Sequence, residues 1–79
     1  MRDDEDDGRV RVNTVAPGPT LTERNAALAD HLAPLIARMP SRRMSSLDEV
    51  AQAVVFLASD DASNIHGSTL SVDGGFSAV

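Results

Sequence analysis

Arg9-Val10-Arg11-Val12-Asn13-Thr14-Val15-Ala16 alternates in side-chain character and runs directly into Pro17-Gly18-Pro19. Val10, Val12 and Thr14 fall on one side of an extended chain; Arg11, Asn13 and Val15 fall on the other. A period of two with β-branched residues predicts a strand over 9–16. Proline cannot donate to a ladder and glycine permits a sharp turn, so Pro17-Gly18-Pro19 ends it. At the other end of the chain, Thr69 to Val72 reads the same way, with Leu70 and Val72 on one face and Thr69 and Ser71 on the other. Asn64 to Gly67 is a turn leading into that strand, and Asp73-Gly74-Gly75 is a tight turn leaving it.

The residues between the strands are helical in pattern. Leu28, Leu32, Leu35 and Met39 form an apolar stripe within 21–39, with Ile36 beside it. Pro34 removes an internal hydrogen bond, so a break there and two short helices are expected. Met39 to Ser45 has little periodicity and reads as a loop. Ser46-Leu47-Asp48-Glu49 is a capping box, in which the Ser46 hydroxyl and the Glu49 carboxylate satisfy each other's backbone amides. The helix it opens, 46–58, has Gln52 as the only polar residue between Val50 and Ala58. A helix that apolar on all sides has to be buried on more than one side, and so short a chain cannot supply all the cover. Strand, helical excursion, helix, strand is a βαβ unit with parallel strands.

Composition narrows the class. With 79 residues the chain holds one small domain at most, with a marginal core. It contains no cysteine, which removes disulfides and thiolate metal sites. His31 and His66 stand far apart without spaced partners, so no metal site is expected. The net charge is −5 and every basic residue is Arg, which argues against a nucleic-acid partner. No apolar run approaches the roughly 18 residues of a membrane span, and the acidic N-terminus is unlike a signal peptide. A cytoplasmic protein is the expectation. Residues 1–8, with five consecutive acids from Asp3 to Asp7, are expected to form an acidic, disordered N-terminus.

These segments together resemble a known family. Arg11-Val12-Asn13-Thr14-Val15-Ala16-Pro17-Gly18 followed by Thr22 is similar to the sixth strand and cofactor loop of short-chain dehydrogenases/reductases. Arg43, Asp48-Glu49-Val50-Ala51 and Phe56-Leu57-Ala58-Ser59 resemble the loop and helix that follow. Ile65-His66-Gly67 and Val72-Asp73-Gly74-Gly75 resemble the approach to the seventh strand and its end. The resemblance covers almost everything after Gly8 and implies that 9–79 is the C-terminal part of such a domain. The implied fold is α/β, the C-terminal βαβ portion of a Rossmann-like parallel sheet, incomplete on its own.

The resemblance also implies roles. Pro17 and Gly18 match the turn beneath the nicotinamide, where glycine lets the backbone approach a flat ring. The Thr20 backbone matches a position that bonds the carboxamide of NAD or NADP, and Thr22 matches a hydroxyl at the same end of the cofactor. Ligands in α/β sheets sit at the carboxyl ends of the strands, where these residues fall. The stripe from Leu28 to Met39 matches a substrate-side lid, and Asp73-Gly74-Gly75 is read as structural.

The family's chemistry also needs a serine, a tyrosine and a lysine from upstream segments, and a glycine-rich phosphate turn. The chain contains neither tyrosine nor lysine, so no catalytic residue is assigned to it. The expectation is a C-terminal fragment of an NAD(P)-dependent oxidoreductase, from a truncated gene, a misplaced start or a partial record. The full-length parent would transfer hydride between NAD(P)(H) and a small-molecule alcohol or carbonyl substrate. No cofactor is expected to bind this chain alone. The alternative is a non-catalytic interaction module. Either way, partners are expected through the 46–58 helix and the 69–72 strand, as a homo-oligomer or by docking on a full-length relative.

Overall fold

The computed structural model of the chain describes residues 10–78. The acidic segment read over 1–8, and Arg9 at the start of the expected first strand, lie outside them. Five elements follow in order: β1 (Thr14–Pro17), α1 (Glu23–Ala27), α2 (Ala29–Ile36), α3 (Leu47–Ala58) and β2 (Thr69–Val72), with short 3-10 turns at Asp60–Ala62 and Phe76–Ala78. β1 and β2 pair in parallel, Thr14 opposite Thr69 through Pro17 opposite Val72. This is the expected βαβ unit. β2 has the predicted bounds, with Leu70 and Val72 turned to the half-buried side.

β1 starts later than the alternation predicts. Residues 11–13 are extended but outside the ladder, because side chains take over there. The Asn13 carboxamide accepts from the Ser68 amide at 2.8 Å and donates to the Ile65 carbonyl at 2.9 Å. Backbone pairing continues only through the Gly67 amide, which donates to the Val12 carbonyl at 2.8 Å. The face carrying Arg11, Asn13 and Val15 is the half-buried one, turned to α3. The face carrying Val10, Val12 and Thr14 is open, with Val12 75% exposed. Parallel sheets are normally covered on both faces; here α3 lies against one.

The helical excursion divides at a different residue from the one expected. The break falls at Leu28 (φ −102°, ψ 15°), and Pro34 lies inside α2. Proline at position 34 forfeits a bond to the Asp30 carbonyl. Asp30 and Pro34 are both exposed, so water can serve that carbonyl and the helix tolerates the loss. Of the predicted stripe, Leu32, Leu35 and Ile36 are half-buried, while Leu28 is exposed at the break. Met39, in the turn beyond α2, is 1% exposed.

α3 begins as its sequence dictates. The Ser46 hydroxyl accepts from the Glu49 amide at 3.0 Å, and Glu49 Oε1 accepts from the Ser46 amide at 2.8 Å. Its other end is held by Arg11, whose guanidinium donates to the Leu57 carbonyl at 2.8 Å and the Ser59 carbonyl at 3.2 Å. A cation there satisfies terminal carbonyls and opposes the negative end of the helix dipole. Only Leu57 of α3 is buried. Leu47, Val54, Val55 and Phe56 remain exposed, Val55 by 66%. Met39, Leu57 and Ala62 are the buried apolar residues among those described, a small core even for this length. No helix among the described residues is long and apolar enough to cross a membrane.

Candidate functional site

The loops leaving the carboxyl ends of β1 and β2 meet each other, and the residues assigned to a cofactor loop lie at that meeting point. Pro17 is the last residue of β1 and is exposed. Gly18 extends the pairing by donating its amide to the Val72 carbonyl at 3.0 Å. A Cβ on Gly18 would stand 2.6 Å from the Asp73 Cβ. The exit of β2 therefore demands glycine at 18 by itself, a reason that the Pro-Gly-Pro pattern does not reveal.

Thr20 is held from two directions. It pairs in parallel with Ser45 in an isolated bridge. The Ser45 amide donates to the Pro19 carbonyl at 2.9 Å, and the Leu21 amide donates to the Ser45 carbonyl at 2.7 Å. In that pattern the flanking groups face the partner strand, and Thr20's own N–H and C=O face the opposite side. There the Asn25 side-chain amide donates to the Thr20 carbonyl at 2.7 Å. The Thr20 hydroxyl donates to the Gly18 carbonyl at 2.9 Å. Among the described residues the Thr20 amide makes no hydrogen bond. With a fixed direction and no partner among the described residues, this donor suits a carbonyl oxygen of a ligand.

Thr22 caps α1. Its hydroxyl oxygen accepts from the Asn25 amide at 3.1 Å. A hydroxyl has one proton to donate as well, so the cap leaves Thr22 able to donate outward. Thr20 and Thr22 thus lie on one short loop with Asn25 bonded to both. Sequence reasoning gives no role to Asn25 or Ser45 and reads Arg11 only as a strand residue, yet these residues fix this loop and close α3. Ser45 is 6% exposed, and its hydroxyl donates to the Val72 carbonyl at 3.3 Å. It joins the cofactor-loop candidate to the end of β2. Its place in a run of loop serines gave no sign of this.

Two carboxylates, one of them paired with an arginine, brace the surroundings. Arg43 grips Glu49 with both guanidinium nitrogens, at 2.7 and 2.8 Å. The hydrogen bond from Arg43 and the one from the Ser46 amide hold the Glu49 carboxyl down at about 2. Asp73 accepts from the Gly75 amide and the Ser77 amide, each at 3.0 Å. Hydrogen bonding by Ser77, side chain and backbone, and by the Gly75 amide holds its carboxyl below the usual range. Each carboxylate accepts hydrogen bonds on both oxygens, which fits a bracing role for Asp73 rather than proton transfer. Among the described residues no cluster of His, Cys, Asp and Glu could hold a metal ion.

A groove of about 370 Å³ runs between β1 and α3, lined by Arg11, Asn13, Val15, Val54, Leu57 and Ala58. It lies along the strand, away from the loop that carries Thr20 and Thr22.

A family model described as enoyl-(acyl carrier protein) reductase matches residues 6–77. The chain belongs to the short-chain dehydrogenase/reductase family. It is 51% identical over 71 residues to a cis-4-hydroxycyclohexanecarboxylate dehydrogenase of Sinomonas cyclohexanicum, covering 89% of this chain and 28% of that protein. It is 46% identical over 71 residues to a 3-oxoacyl-[acyl-carrier-protein] reductase of Salmonella typhimurium, covering 89% of this chain and 29% of the reductase. Among solved structures, a gluconate 5-dehydrogenase from Burkholderia cenocepacia in complex with NADP and tartrate superposes with a TM-score of 0.75. It is 39% identical, over 87% of this chain and 28% of the dehydrogenase. The chain therefore spans a little over a quarter of the length of these short-chain dehydrogenases/reductases. They are oxidoreductases, and the family fold carries NADP in the solved neighbour.

Proposed function

We propose that residues 17–22 form the nicotinamide-end portion of an NAD(P) site, within a fold that transfers hydride between NAD(P)(H) and an alcohol or carbonyl substrate. The observation that carries this reading is the Thr20 amide. It is turned away from Ser45 by the bridge and has no partner among the described residues. Thr20 would donate to the carboxamide oxygen, Thr22 would donate its hydroxyl proton at the same end, and Pro17-Gly18 would form the turn beneath the ring. The cofactor supplies the hydride chemistry. These residues bind and orient. The proton-transfer groups and the phosphate turn belong to other parts of the family fold, so the 79 residues alone are expected to bind no NAD(P) tighter than millimolar.

The test is a chimera in which residues 9–79 replace the matching stretch of the Salmonella reductase. The expected result is turnover of a 3-oxoacyl substrate with NADPH or NADH. Thr20→Pro removes both the amide proton and the hydroxyl bond to the Gly18 carbonyl; relative to Thr20→Ala, which loses the hydroxyl alone, it should then raise the cofactor KM by roughly tenfold, the worth of one well-placed hydrogen bond. An active chimera indifferent to Thr20→Pro sinks the reading.

A docking role is favoured by a separate observation, the exposed apolar side of α3 around Leu47, Val55 and Phe56. Exposed large apolar side chains on one helix are candidates for an interaction face. The occupant we propose is a second copy or a full-length relative, seated on α3 and beside β2.

A further inference from the structure

We infer that Asn25 is a positioning residue of the loop, locking the Thr20–Leu21 peptide so that the Thr20 amide is presented outward. The inference rests on the cofactor-loop reading for its purpose, but its geometry stands without a ligand.

Two consecutive peptide planes are involved. In the plane joining Pro19 to Thr20, the carbonyl accepts from the Ser45 amide at 2.9 Å and the N–H is the partnerless Thr20 amide. In the plane joining Thr20 to Leu21, the N–H donates to the Ser45 carbonyl at 2.7 Å. Its carbonyl accepts from Asn25 Nδ2 at 2.7 Å. Among the described residues, Ser45 grips both planes from one side and Asn25 alone grips from the other. Without Asn25 the Thr20 carbonyl would have only water to face, and the second plane could rock about its bond to Ser45. The two planes meet at the Thr20 Cα, so rocking of the second is relayed to the first, which carries the donor.

Asn25 is suited to this by chemistry and by place. It is the third residue of α1, so its backbone amide is already anchored to the Thr22 hydroxyl at 3.1 Å. Its side chain therefore starts from a fixed point and reaches back five residues to Thr20. The group is half-buried, which protects the bond from competition by water. Only a donor works here: a carbonyl oxygen needs N–H or O–H, and an ionised carboxylate in the same shape has neither. The first turn of α1 is consequently an orientation device for the loop that precedes it.

The experiment uses the 79-residue chain, labelled with nitrogen-15 and without added ligand. Amide exchange and relaxation are compared for the wild type, Asn25→Ala and Asn25→Asp. Alanine keeps the backbone amide that Thr22 caps and is a better helix former, so α1 should persist. The expected result for Asn25→Ala is faster exchange at the Leu21 amide by roughly three- to tenfold, new mobility at the Thr20 amide, and unchanged exchange at Leu57 in α3 and Leu70 in β2. Asn25→Asp should behave like alanine near neutral pH. It should recover wild-type protection at Leu21 as the pH falls through about 4, where a protonated carboxyl regains a proton to donate. A side chain that merely fills space would show no such recovery. Unchanged exchange at Leu21 in both variants, or aspartate matching wild type at every pH, overturns the inference. A positive result here with an active chimera indifferent to Thr20→Pro would leave the positioning intact and remove the cofactor reading.

Discussion

The Arg11 guanidinium donates to the carbonyl of Leu57 at 2.8 Å, and the two residues are 46 apart in the chain. A second guanidinium nitrogen reaches the Ser59 carbonyl at 3.2 Å. One side chain before β1 therefore closes the end of α3. Arg11→Ala should lower unfolding stability by about 1.5–3 kcal/mol, the range for hydrogen bonds from a charged group. Arg11→Lys should recover only part of this, because an ammonium lacks the planar fork that serves two carbonyls at once. Urea unfolding followed by circular dichroism measures both.

The Glu49 carboxyl gives the chain an acid limb. Its folded value of about 2 lies below the unfolded value near 4.5. A depressed carboxyl stabilises the fold fully above the unfolded value, and that contribution disappears as pH falls from about 4.5 through about 2. Asp73 acts in the same direction. Glu49→Gln keeps a side chain able to complete the capping box but cannot titrate. The variant's thermal midpoint should vary less than the wild type's between those pH values. Equal slopes for the two proteins would contradict the bracing role of Arg43 and Glu49.

Gly67 and Gly75 separate backbone freedom from space. Both have positive φ, +68° and +87°. A Cβ on Gly67 would meet nothing within 4 Å, whereas one on Gly75 would stand 2.6 Å from Pro40 Cγ. Gly67→Ala should cost about 1–2 kcal/mol, the penalty of the left-handed region. Gly75→Ala should cost more, since the Ser41 amide bond to the Gly74 carbonyl at 3.0 Å would have to give as well. Paired denaturant curves decide this, and equal losses would mean that Pro40 moves aside freely.

Val55 lies on the uncovered side of α3, 66% exposed. Val55→Lys should change monomer stability by no more than about 0.5 kcal/mol and weaken self-association in sedimentation velocity. Undiminished association in the variant would direct the docking proposal away from α3.

Legibility in the sequence followed the range of the forces involved. The start of α3 was readable because Ser46 and Glu49 satisfy each other within one turn. β2 was readable because alternation and the Asp73-Gly74-Gly75 turn are both local. The first strand was over-extended because Asn13 replaces ladder bonds with side-chain bonds to Ile65 and Ser68, far away in sequence. Pro34 suggested a break that the exposure of Asp30 makes unnecessary. The residues of the proposed cofactor loop are picked out by resemblance, whereas the grip on Thr20 combines an Asn25 side-chain bond with a bridge between two loops. No periodicity encodes such a bridge.

The latch between Asn13 and Ser68 spans 55 residues, and the ladder beside it joins almost the first described residues to almost the last. Loop-closure entropy has to be met before such pairings reward it, and topologies dominated by them fold slowly. During synthesis β1 emerges before β2 and then waits, with that edge unmatched, until residues 69–72 leave the ribosome. The interval before β2 arrives is when this polypeptide is most exposed to chaperones, proteases and errant strand pairing.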